Sequence, residues 1–167
     1  MTEFTIQELN SRDETEFVDA VGEVYEESPW VAERAAPERP FDSLDDLLTA
    51  MERAVDEASH ERKIALLRAH PDLGEQTEMT EASREEQAAA GLDELSPEQY
   101  ETFQRLNETY RENFEFPFIM AVADTSPDEI QAAMEERIGN PDMVEFETAL
   151  DEVHTIARLR LEDLVSS

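Results

Sequence analysis

The sequence predicts an all-α fold, a single-domain bundle of about seven or eight helices. Three observations lead there. Apolar residues recur mostly at helical spacing, glycine is scarce at 4 in 167 residues, and Ser and Pro fall where helices should begin. A chain of this length suits one domain (1–167) with a substantial core and is short for two. No repeat, low-complexity tract or linker divides it.

Taken in order, Asp13–Tyr25 is an amphipathic helix and "PWVAERA" a short one. "RPFDSLDDLLTAMERAVDEA" opens with Ser43 and carries Asp46 three places on, an N-terminal capping pattern. The next helix begins at Ser59 and must stop by His70, because Pro71 pushes the residue before it out of the α region. "TEASREEQAAAGL" reads as a short helix capped by Ser83 and closed by Gly91. "SPEQYETFQRLNETYRENF" has Ser96 as cap, Pro97 in the first turn and Gln99 completing a capping box. Its inward stripe is Tyr100, Phe103, Asn107, Tyr110 and Phe114. "FPFIMAVA" (116–123) is an apolar run too short for a helix, read as buried and extended or as leading into a turn. "SPDEIQAAMEERI" and "PDMVEFETALDEVHTIARLRLEDLV" close the chain as two helices.

Charge excludes several function classes. Asp plus Glu total 43 against 13 Lys plus Arg, a formal net charge of −30. Such a surface repels nucleic-acid backbones and anionic membrane faces, so no nucleic acid and no membrane is expected as partner. The carboxylates are spread along the chain, which sets aside an acidic tail. Lys63 is the sole lysine. At molar salt the Debye length falls to ~3 Å and self-repulsion largely vanishes, so a high-salt cytoplasm is the expected setting. The N-terminus has no basic-then-apolar leader, and no apolar stretch approaches ~20 residues, which points to a soluble cytoplasmic protein.

The absence of cysteine excludes disulfides, thiolate metal sites and cysteine nucleophiles. No phosphate-binding glycine loop is present, and His60, His70 and His154 lack metal-ligand spacing. A Schiff base would have to use Lys63, which sits in an ordinary charged helix.

Three residues could carry chemistry. His70 lies at a helix end, where the dipole favours imidazolium; it reads either as a solvated cap or as a reactive imidazole held by Pro71. Glu86 fits a capping box with Ser83, and local spacing gives it no further role. Arg160 lies near the centre of the last helix's apolar face, among Val153, Ile156, Ala157, Leu161 and Leu164, while Arg158 points away. A buried arginine needs a partner. Either it pairs with a carboxylate, or its planar fork receives a ligand anion. Asn107, on an apolar stripe, reads as a buried helix-to-helix hydrogen bond.

Four segments then fall together: "AHPDLG" (69–74), "SREEQAAAGL" (83–92), "LNETYRENFEFPFI" (106–119) and "IARLRL" (156–161). In order and spacing they resemble the decarboxylases of 2-oxo-4-hydroxy-4-carboxy-5-ureidoimidazoline (OHCU). "PWVAERAAPERPF" (29–41) resembles the N-terminal segment of that family, so the resemblance covers roughly residues 5–165. Each motif alone is weak, and four in register are specific.

The resemblance implies an all-α enzyme without cofactor or metal. Such an enzyme removes carbon dioxide from OHCU to leave (S)-allantoin in urate breakdown, after urate oxidase and hydroxyisourate hydrolase. Carried over by position, His70 and Glu86 are the catalytic pair; Pro71, Ser83, Gln87, Phe116, Ile119 and Arg160 contact the substrate, the 116–119 stretch through backbone groups. Family members are often homodimers, and some are fused to the hydrolase; with its end at Ser167 this chain is expected to be unfused. One departure stands out: the family usually has Gly before FPF, and this chain has Glu115, which would be strained if that position needs positive φ. The rival readings are an acidic helical interaction protein without catalysis, and a hydrolase of the same pathway using the His70–Glu86 pair.

Overall fold

Helix starts in this protein are set by hydroxyl and carboxylate side chains. In the computed structural model, which describes residues 3–74 and 80–166, Thr5, Asp13, Ser43, Ser59, Thr80, Ser96 and Ser126 each accept the backbone N–H three residues on. Each such cap satisfies a donor that the first turn leaves open. The all-α expectation holds, with nine α-helices and one 3-10 turn among the described residues. One helix more than expected comes from Ile6–Ser11, where Thr5 Oγ1 accepts the Glu8 N–H and the Thr5 hydroxyl donates to Glu8 Oε1.

The chain falls into two compact units. The first comprises residues up to Ala69 and those from His154 onward. It holds β1 (Phe4–Thr5), α1 (Ile6–Ser11), α2 (Glu14–Val21), α3 (Trp30–Ala35), the 3-10 turn Ala36–Glu38, α4 (Leu44–Asp56) and α5 (His60–Arg68). Its last elements are the C-terminal part of a long helix and β2 (Val165–Ser166). β1 pairs with β2 in parallel, Phe4 opposite Val165. α3 packs against α2 and α4, and Phe17, Leu47, Met51 and Leu66 are fully buried there. α2 is shorter than the expected Asp13–Tyr25, because Gly22 closes it.

The second unit runs from His70 to Val153. It contains α6 (Glu81–Ala89), α7 (Pro97–Phe114), α8 (Pro127–Arg137) and the first part of α9 (Asp142–Leu164), which continues into the other unit. Gly91, at φ +82°, closes α6 as expected. On α7 the residues Phe103, Asn107, Tyr110 and Phe114 are buried, and Tyr100 is half-buried. The 116–123 run carries neither helix nor strand and is mostly buried, its rings packed with α7: Tyr110 meets Phe116 and Phe118 edge-on at 5.9 and 5.4 Å.

Two expectations need correction. Ser83 is not the cap of α6; Thr80 is, so the helix starts one turn earlier and Ser83 lies inside its first turn. Thr80 and Ser83 are both hydroxyls three residues ahead of a suitable amide; the structure uses Thr80, and Ser83 is buried with Gln87 on one face of the helix. Asn107 bonds not to a helix but to the turn at Leu73.

Candidate functional site

α5 ends at Arg68, and Ala69, still in the αR region, receives the cap. The Pro71 restriction acts where the sequence places it. His70 follows the helix end and is only 6% exposed, which removes the reading of a solvated capping histidine. The turn from His70 to Gly74 is held by side chains of its own unit. Asp72 Oδ1 receives Arg111 Nε at 2.8 Å. Asn107 Nδ2 donates to the Leu73 carbonyl at 2.9 Å, and the Gly74 N–H donates to Gln87 Oε1 at 3.0 Å. Gly74 adopts φ +79°, and a Cβ there would come within 2.9 Å of Phe103 and 3.0 Å of Leu95. Only glycine meets both demands.

On α6, Ser83, Glu86 and Gln87 lie at i, i+3 and i+4, hence on one face. Ser83 and Gln87 are buried and Glu86 is half-buried. Because Thr80 Oγ1 already serves the Ser83 N–H, Ser83 and Glu86 do not form the expected capping box. The Gly74–Gln87 bond ties the HPDLG turn directly to this face.

Phe116 and Ile119 are buried in the same unit. The N–H groups of Phe118, Ile119 and Met120 donate to no described backbone group, while the Ala121 N–H donates to Glu152 at 3.0 Å. Ile119 offers its carbonyl to Arg137 Nη1 at 2.8 Å, and the Arg137 guanidinium lies over the Phe118 ring at 4.4 Å. Behind it is a carboxylate that sequence reasoning missed. Glu145, 0% exposed, accepts from Arg137 Nε at 2.8 Å, from the Tyr110 hydroxyl at 2.6 Å and from Asn140 Nδ2 at 2.9 Å. Burial first, then the bond to Glu145, pushes the Tyr110 hydroxyl well above its usual range. The signal was present: Glu145 falls on the stripe of Ala149 and Val153, as Arg160 falls on its own.

Glu115 caps α7 in the left-handed region, φ 65° and ψ 15°. The strain expected of a non-glycine residue at this position is therefore present. Along α7 an open groove of about 650 Å³ is lined by Asp72, Gln104, Asn107, Glu108, Arg111 and Glu112. Its three carboxylates, with Arg111 engaged by Asp72, make it a poor receptor for an anion.

Arg160 belongs to the first unit. As the helical wheel predicts, Arg160 is buried, while Arg158 is exposed and bonds Asp45 at 3.1 Å. Arg160 Nη2 lies 3.5 Å from Glu26 Oε2, with both side chains buried, and Nη1 reaches the Glu23 carbonyl at 3.4 Å. The carboxylate partner foreseen for a buried arginine is thus Glu26.

Comparison with known proteins gives a consistent picture. The OHCU decarboxylase family model matches residues 10–162. The chain is 64% identical over 167 residues to the 2-oxo-4-hydroxy-4-carboxy-5-ureidoimidazoline decarboxylase of Haloferax volcanii, covering 100% of this chain and 99% of that one. It is 40% identical over 163 residues to the uric acid degradation bifunctional protein PucL of Bacillus subtilis, covering 98% of this chain and 33% of that protein. Among solved structures, that of an (S)-allantoin synthase superposes with a TM-score of 0.79 at 31% identity, over 96% of this chain and 54% of the other. Among the described residues no helix is long and apolar enough to cross a membrane.

Proposed function

The chain belongs to the OHCU decarboxylase family, and from that premise we propose that it removes carbon dioxide from 2-oxo-4-hydroxy-4-carboxy-5-ureidoimidazoline to leave (S)-allantoin in urate breakdown. The observation that carries the site assignment is the Gly74–Gln87 hydrogen bond, which joins the turn bearing His70 to the α6 face bearing Ser83 and Glu86.

In this reading the bond between the ring carbon and the carboxylate breaks, carbon dioxide leaves, and the electron pair stays with the ring. That pair is delocalised over the neighbouring carbon–nitrogen double bond, whose nitrogen takes up one proton. The 4-hydroxyl then gives up its proton to become the ring carbonyl, and a proton is added at the adjacent carbon that bears the ureido group. His70, paired with Glu86, handles that proton on one face of the ring, which accounts for a single enantiomer. Donors aimed at the developing negative charge lower the barrier more than donors that merely hold the substrate. Gln87 suits that task, since Oε1 is committed to Gly74 and Nε2 is its remaining donor. Ser83, Pro71 and the backbone at Phe116 and Ile119 complete the contacts. Arg160 enters the set by its position in the family motif, as the group that receives a substrate anion against the repulsion of a −30 chain.

We place the enzyme downstream of urate oxidase and hydroxyisourate hydrolase, as a homodimer working in a salt-rich cytoplasm. The test generates the substrate in place from urate with the two upstream enzymes, at molar salt, and follows allantoin by circular dichroism. The expected result is faster appearance of the (S)-signal with one carbon dioxide released per substrate. No acceleration ends the proposal, and a ring-opened product without carbon dioxide would instead favour a hydrolase.

A further inference from the structure

The Leu73 carbonyl and the Gly74 N–H are the two poles of one trans peptide, and they point in opposite directions. Each pole is gripped by a different side-chain amide. Asn107 on α7 donates to the carbonyl, and Gln87 on α6 accepts from the N–H. A peptide that leads into glycine turns over easily, because glycine tolerates either sign of φ. Here both poles are occupied, so turning over would break two hydrogen bonds at once.

The chemistry of the poles also fixes which way each amide faces. A carbonyl only accepts, so Nδ2 of Asn107 must meet Leu73; an N–H only donates, so Oε1 of Gln87 must meet Gly74. Asn107 Oδ1 is left buried, with no hydrogen-bond partner among the described residues. That atom bears a desolvation cost which an apolar side chain of similar size would avoid. What the amide contributes in return is the donor at Leu73.

We infer that Asn107 is a positioning residue for the proposed reaction: through the Leu73–Gly74 peptide it holds the turn that carries His70 and keeps the Gln87 amide with its donor free for the substrate. This rests on the site reading above. Without the Asn107 donor the peptide can rotate, Gln87 loses the partner that orients it, and the imidazole four residues upstream loses its anchor.

The test compares the wild type with Asn107→Asp, which keeps the shape and removes both N–H donors, and with Asn107→Leu, which removes them without adding a charge. Two readouts are taken far below the melting temperature. Exchange of the Gly74 amide, followed by NMR, should accelerate about tenfold or more while core amides such as that of Ile130 keep their protection. In the same variants kcat should fall about tenfold or more, a size usual for misplaced groups, with a smaller change in KM. A folded variant with Gly74 exchange and kcat within about twofold of wild type overturns the inference. If the wild type itself releases no carbon dioxide, the functional reading fails; exchange at Gly74 then decides the clamp alone.

Discussion

The Arg160 guanidinium faces the Glu26 carboxylate at 3.5 Å, and both side chains are buried. Removing one partner of such a pair is strongly destabilising, because the other charge stays buried without it. Glu26→Gln should therefore cost about 3 kcal/mol, toward the low end for buried pairs, since Arg160 keeps the Glu23 carbonyl. Arg160→Met should cost a similar amount, and the double variant less than the sum, as urea unfolding will read. Arg160→Lys separates the two roles: a raised KM at unchanged stability assigns the guanidinium to the substrate, and the reverse pattern assigns it to the fold.

Glu115 holds φ 65° at the end of α7, a conformation that costs a residue with a Cβ about 1 kcal/mol. Glu115→Gly should stabilise by about that amount, raising the melting temperature by roughly 2–4 °C. Glu115→Ala is the control, since it removes the charge and keeps the Cβ. Equal gains from Gly and Ala would mean that relief of repulsion in a −30 chain, not of backbone strain, is responsible.

Local patterns carried most of this fold. The helix starts at Ser43, Ser59 and Ser96 and the closing Gly91 are each decided by three or four neighbouring residues, which is why they could be read. Thr5 and Glu8 offered the same signal and were passed over at the chain's start. Thr80 and Ser83 could not be told apart locally, because both are hydroxyls three residues ahead of a suitable amide. The wheel showed that Arg160 and Asn107 were buried polar groups. It could not name Glu26 or Leu73, which lie far off in sequence, and 43 acidic residues offered too many candidates for the first. His70 and Glu86 remained ambiguous for the same reason: their surroundings are tertiary.

Alkaline pH should unfold this protein through two tyrosines. Burial above all raises the Tyr25 hydroxyl, with Glu52 and Asp56 adding to it; burial and Glu145 raise Tyr110, which Arg137 partly offsets. Both folded values lie above the unfolded one of about 10. Below that pH both states hold the proton and stability is unaffected; above it the folded state binds more protons, so stability falls as pH rises. The slope is about 1.4 kcal/mol per pH unit for each tyrosine. Urea midpoints between about pH 9 and 11.5 should show the decline, and Tyr25→Phe or Tyr110→Phe should each remove about half of it. A decline unchanged in both variants would place the titration elsewhere.

His70 is buried at the end of α5 beside a proline that fixes its backbone, and the proposed mechanism asks it to move one proton on one face of the ring. Losing a positioned acid–base group usually costs 10²–10⁴-fold, so His70→Asn should lower kcat by about 10²-fold or more, near 2.7 kcal/mol of transition-state stabilisation. Rate alone would not separate proton delivery from a disturbed turn. Stereochemistry does, because product that forms without the imidazole is protonated by water from either side. The dichroic signal per mole of allantoin should therefore shrink in His70→Asn, while in Asn107→Leu, where the imidazole remains, it should persist at the lower rate. A His70→Asn enzyme that is slow yet fully enantioselective would move the proton transfer to another group, with Glu86 the first to examine.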